Sequence, residues 1–154
     1  MKSKKSVILG LFILVGVVVL TSGCVFYNLL KADDFKKHFG ALGYTISDTE
    51  TAEYESETYL EATKEDVPYK ISYYEFSSEI EAKKVYEKYK KNIVSYITSD
   101  SKNQETTGAV FAKTVAVSDN EYIVISRVKN TLIFIAGTND YSKEIDKILE
   151  DVKY

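Results

Sequence analysis

One histidine, one cysteine and one arginine bound the side-chain chemistry open to this 154-residue chain. Any histidine-dependent triad must use His38, and the spacing of Phe35, His38, Phe39 and Leu42 puts that ring on the apolar side of a helix. There it reads as a half-buried histidine at the edge of a core. Asp34 and His38 stand four residues apart and could share a metal ion, but a metal centre needs further ligands and none follows nearby in the sequence. No metal and no cofactor is therefore expected. Arg127 lies in or beside a predicted strand, next to a Lys129-Asn130 turn. A planar guanidinium can hold a carboxylate or phosphate by two parallel bonds, so Arg127 is a candidate binding residue; its plainer role is to pair with a neighbouring glutamate or meet solvent.

Tyrosine is the surplus residue, 13 copies beside no tryptophan. Tyr54, Tyr59, Tyr69, Tyr73, Tyr74, Tyr122 and Tyr141 are more than one core is expected to absorb. Tyrosine offers large contact area at low entropic cost, so Tyr73, Tyr74 and Tyr122 join Arg127 as candidate binding residues. The competing account is strand propensity together with genome composition. Lysine, isoleucine, asparagine and tyrosine enrichment, with arginine nearly absent, leans towards an AT-rich, low-GC Gram-positive source.

Some polar strings imitate catalytic motifs. Ser99-Asp100-Ser101-Lys102 fits S-x-x-K, Ser118-Asp119-Asn120 spells S-D-N, and Lys113-Thr114 begins K-T-G. Val115 replaces the glycine, the lysine–threonine pair precedes S-D-N, and the chain is too short for a β-lactamase-like fold. Alternation at Glu53, Glu55 and Glu57 would set three carboxylates on one strand face. They lack the spacing and glycine of a calcium loop, and they read as a solvated edge.

The elements that must position these residues follow from periodicity. A first helix runs from an Asp33 or Asp34 cap to a stop at Gly43, followed by strands at Tyr44–Ser47, near Thr58–Thr63 and at Tyr69–Phe76. Ser77 or Ser78 starts the strongest helix, with Ala82, Val85, Tyr86, Tyr89, Ile93, Tyr96 and Ile97 on one stripe. A polar loop is expected from Ser99 to Gly108. Three apolar runs follow, Ala109–Val117, Tyr122–Val128 and Thr131–Ala136, joined by Asp119-Asn120 and Lys129-Asn130 turns. The last run is apolar on both faces, as a covered central strand would be. Ile145, Ile148, Leu149 and Val152 mark a closing helix. The expected class is α+β in the order α-βββ-α-βββ-α, two three-stranded meanders in an antiparallel sheet with helices against it.

Residues 1–30 are of another kind. A basic Met1–Ser6 precedes fourteen apolar residues, Val7–Leu20, and then Thr21-Ser22-Gly23-Cys24. Small residues before the only cysteine resemble a bacterial lipobox, which makes Cys24 the candidate lipidation site and the leader a cleaved signal peptide. Thr21 departs from the usual leucine. Val7 to Leu30 also carries no charge, and about 20 apolar residues suffice to cross a bilayer. An uncleaved transmembrane anchor is the alternative, and a conventionally secreted product the third. Either anchor keeps the basic end inside and displays residues 31–154 outside the cytoplasm.

Net charge is −3, but without Lys2, Lys4 and Lys5 the remaining 17 basic residues face 23 acidic ones, about −6 for the displayed part. So acidic a domain is a poor polyanion binder, and nucleic acid is not an expected partner.

The anchor, the Phe…Gly-Tyr helix end, the Tyr-x-Ile-x-Tyr-x-x-Phe-like strand and Ser126-Arg127-Val128-Lys129-Asn130-Thr131-Leu132-Ile133 before a last amphipathic helix together resemble small membrane-anchored envelope proteins of clostridial-type, low-GC Gram-positive bacteria. The resemblance implies anchoring and fold and carries over no functional residue. The expectation is a noncatalytic, membrane-tethered binding or accessory module that contacts an envelope protein. Its alternatives are a receptor for envelope glycan or a small molecule, with a concave pocket lined by tyrosines near Arg127, and a wall hydrolase using two carboxylates about 5–9.5 Å apart.

Overall fold

A computed structural model of the chain describes residues 29–48, 56–96 and 102–154. The expected anchor as far as residue 28, Cys24 included, and Tyr54, Glu53 and Glu55 lie outside the described residues. No helix among the described residues is long and apolar enough to cross a membrane.

The chain runs α1 (Ala32–Ala41), β1 (Thr45–Asp48), β2 (Thr58–Thr63), β3 (Lys70–Glu75), α2 (Glu79–Tyr96), β4 (Lys102–Thr107), β5 (Phe111–Val117), β6 (Glu121–Val128), β7 (Thr131–Thr138), a 3-10 turn (Asn139–Tyr141) and α3 (Ser142–Asp151). All seven strands form one sheet in the order β1-β2-β3-β7-β6-β5-β4, and every pairing is antiparallel. The α+β class is as expected, and β7 takes the central place that its two apolar faces require.

The strand count is a correction. The second meander has four strands, because Lys102–Thr107, expected to be loop, pairs with β5 along its whole length. All six of its residues are exposed, so it has no buried face and no apolar alternation to betray it. A strand of this composition suits an edge, where polar and charged side chains discourage pairing with other chains.

Two apolar layers flank the sheet. On one face, Phe35 and Phe39 of α1 and Ile145, Ile148 and Leu149 of α3 close over Leu60, Ile71, Tyr73, Val124, Ile133 and Ile135. On the other, Ala82, Tyr86, Tyr89 and Ile93 of α2 cover Tyr74, Ala116, Ile125 and Leu132. The period-2 alternation of β6 distributes its residues between them: Tyr122, Val124 and Val128 face α3, while Ile125 faces α2.

Helix ends carry a second correction. Lys31 is the N-cap of α1 and makes no side-chain cap bond; Asp33 and Asp34 fall in the first turn, where their charge favours the helix dipole instead. Its other end is a Schellman turn. Gly43 has φ 81°, its N–H donates to Gly40 O, and the Tyr44 N–H donates to Phe39 O at 3.0 Å. α3 ends in the same way: Lys153 has φ 60°, and the Tyr154 N–H donates to Leu149 O at 2.8 Å. In both cases the tyrosine after the left-handed residue folds back into the core. Lysine bears a Cβ penalty in that conformation which glycine does not. Lys153→Gly is therefore expected to stabilise the domain by about 0.5–1 kcal/mol, read as a higher urea midpoint. An unchanged or lower midpoint would show that the left-handed backbone costs nothing here.

Candidate functional site

The strand register decides where Arg127 goes. It stands opposite Ala112 of β5 and Leu132 of β7, on the side of the sheet that faces α2. Ala112 leaves space beside it. Tyr86 of α2 hydrogen-bonds to Thr114 of β5 at 2.7 Å, which pins the helix over β5. Between the first half of α2, the β4–β5 turn and the end of β6 lies a cavity of about 510 Å³, lined by Glu79, Ile80, Lys83, Tyr86, Thr107 and Arg127, among others.

Arg127 is only 7% exposed. Its Nη1 donates to Lys129 O at 3.0 Å, and its buried Nε has no partner. Ion pairs among the described residues include Lys36 to Asp48, Lys70 to Glu61, and Lys90 to Glu87 and Glu105; none of these involves Arg127. A buried cation without a direct ion pair is costly, by several kcal/mol per ion even after relaxation. The turn beneath it is fixed. Lys129 N–H donates to Val110 O at 2.7 Å, and Asn130 Nδ2 donates to Phe76 O at 2.8 Å. The guanidinium is thus held above a hydrogen-bonded turn with its Nε–H uncommitted, a donor that an oxyanion could satisfy.

The candidate tyrosines do not gather around it. Tyr73 lies on the α1/α3 face and donates to Leu30 O at 2.8 Å. Tyr122, on that same face, donates to Asp146 Oδ1 at 2.7 Å. Tyr74 lies on the α2 face, stacked on Tyr59, with its hydroxyl 2.9 Å from that of Tyr89. Tyr69 donates to Glu144 Oε1 at 2.7 Å and lies 3.2 Å from the Tyr44 hydroxyl. The core absorbs Tyr69, Tyr73, Tyr74 and Tyr122, the three candidate binding tyrosines among them, while Tyr59 and Tyr141 are only half-buried. It can do so because their hydroxyls find internal partners. Burial pushes the Tyr69, Tyr73, Tyr122 and Tyr154 hydroxyls far above the ordinary tyrosine range, reinforced at Tyr69 and Tyr122 by the carboxylates that accept from them.

The remaining polar candidates are scattered. His38 sits half-buried beside Phe39, its Nε2 without a partner. Among the described residues no three His, Cys, Asp or Glu side chains converge as a metal site. Lys113 and Thr114 point to opposite faces. Thr114 meets Tyr86, while Lys113 is lowered by burial below the ordinary lysine range against the opposing pull of Asp146 and Glu150. Ser118 caps its turn through the Glu121 N–H at 3.2 Å. Glu61 accepts from Lys70 and Tyr59; burial raises its pKa, but these partners hold it below the ordinary carboxylate value.

Ile80, Lys83 and Thr107 were not singled out by the sequence as cavity residues. One signal was available for Ile80, an apolar residue in α2 that lies off the buried stripe and is 69% exposed. Thr107 belongs to the strand whose polarity concealed it. The chain matches no protein-family model, no curated protein and no solved structure.

Proposed function

We propose that this chain is a noncatalytic binding module, tethered to the membrane by residues 1–30 and displayed outside the cytoplasm. Its site is the cavity over Arg127, and its ligand is an envelope component, small molecule or glycan, that presents an acidic group. The observation that carries the reading is the uncommitted, buried Nε–H of Arg127, a residue that lines a cavity of about 510 Å³. A pocket is favoured over a tyrosine-covered contact face because Tyr73, Tyr74 and Tyr122 make their contacts inside the protein. The tether rests on the charge-free run from Val7 to Leu30 and on the lipobox-like residues before Cys24.

Anions binding only the folded state raise its stability by mass action, about 2.7 kcal/mol at a hundred times the dissociation constant. Melting of the full chain in detergent, followed against acetate, inorganic phosphate and dimethyl phosphate at matched ionic strength, is expected to give a saturable rise of several degrees with at least one of them. Arg127→Met is expected to remove that rise while leaving the melting temperature in chloride unchanged or higher, since methionine ends the unpaired burial of charge. A rise of equal size in the variant, or no saturable rise in the parent, overturns the assignment.

A further inference from the structure

The cavity and the tether share one end of the molecule. Leu30 is pinned by the Tyr73 hydroxyl, and Tyr154 also bonds its backbone. From there one row of register crosses the sheet: Glu75 stands opposite Thr131, Thr131 opposite Val128, and Val128 opposite Phe111. The Gly108 N–H then donates to Phe111 O at the β4–β5 turn. Adjacent strands are about 4.8 Å apart, so the turn beside the cavity lies roughly 15 Å across the sheet from the point where the N-terminal segment leaves. α2 begins at this same end, immediately after β3.

The apolar surface is arranged to match. Four large hydrophobic side chains are exposed among the described residues: Leu42, Ile80, Val94 and Val110. Leu42 and Val94 follow α1 and end α2 at the opposite pole, whereas Ile80 lines the cavity and Val110 stands in the adjoining turn, 69% and 38% exposed. Cation and apolar surface therefore occur together at the tethered pole. Glu79 and Glu87 also line the cavity, and through like-charge repulsion they disfavour a doubly charged anion more than a singly charged one.

We infer that the ligand is an anionic phospholipid of the bilayer that holds the tether, a lipid of net charge −1 whose phosphodiester is received by Arg127 and Lys83 without a headgroup cation to offset it, and whose apolar part lies along Ile80 and Val110. The inference rests on the binding-module reading and adds the class of ligand. Apolar contact supplies the part of the affinity that an acidic domain cannot obtain from long-range attraction.

Because Arg127 is the only arginine in the chain, isotope-labelled arginine gives a single Nε–H resonance. The full chain is placed in nanodiscs of phosphatidylcholine, with or without phosphatidylglycerol, and separately titrated with dimethyl phosphate in the phosphatidylcholine discs. The resonance is expected to move with the phosphatidylglycerol fraction and with dimethyl phosphate. Ile80→Ser is expected to raise the phosphatidylglycerol fraction needed by roughly tenfold, with the dimethyl phosphate titration unchanged. A shift with dimethyl phosphate alone overturns the lipid inference and leaves the Arg127 site standing. No shift with either overturns both, and a chain that joins discs of no composition overturns the tether on which the inference depends.

Discussion

Raising the pH through the tyrosine range is expected to unfold this domain cooperatively, roughly between pH 11 and 12. Tyr69, Tyr73, Tyr122 and Tyr154 are buried, and burial raises each hydroxyl well above its ordinary value near 10. Below pH 10 both folded and unfolded chains keep these protons, so the contribution to stability is fully present. Above it the unfolded chain loses protons that the folded chain retains, and stability falls as the pH climbs towards the folded values. Each such tyrosine removes about 1.4 kcal/mol per pH unit. Four together remove roughly 5–6 kcal/mol per unit, against a total stability on the order of 5–15 kcal/mol for a typical domain. Circular dichroism and tyrosinate absorbance should therefore change together in one steep step. Smooth ionisation with the sheet signal intact would mean that these hydroxyls are open to solvent.

The second large effect is expected at Tyr73. Its ring is fully buried, 4.9 Å from that of Phe35, while its hydroxyl holds Leu30. Tyr73→Ala empties a core site beneath α1 and is expected to cost about 3–5 kcal/mol. Tyr73→Phe keeps the ring and removes only the hydrogen bond, with an expected cost of about 1 kcal/mol. Urea denaturation of the two variants separates the roles. If Phe and Ala cost the same, the hydroxyl and not the ring holds this end of the fold together.

Where periodicity and burial coincide, the architecture could be read from residues alone. Thr58–Thr63 alternates and is β2, and the stripe from Ala82 through Tyr86 and Tyr89 to Ile93 is the inner face of α2. The doubly apolar Thr131–Ala136 lies within the central strand. β4 was hidden because hydrogen bonding to β5 alone, without burial of a face, leaves no trace in side-chain type. The α1 cap was misplaced because a side chain able to cap stands within the first turn rather than before it. At the cavity, Arg127 was visible as a lone guanidinium beside a turn. Its burial was not, since that depends on α2 lying across β5 and β6, a tertiary fact. The tyrosines could not be divided between core and surface for a related reason: an amphipathic side chain is suited to both, and only the position of a hydroxyl partner decides between them.

The pairing of β3 with β7 joins segments about sixty residues apart in the chain. During synthesis from the N-terminus, β1, β2 and β3 are complete long before their partner exists. β3 must wait as a bare edge, its hydrogen-bonding groups towards β7 unpaired, although α1 and α2 already stand on its two sides. Pairing with β7 must close a loop that spans α2 and strands β4 to β6, and non-local pairings of this kind raise contact order and slow folding. A chain arrested before Thr138 would hold a half-sheet with an adhesive rim, and it is at this stage that assistance from a chaperone or a neighbouring surface has most to offer.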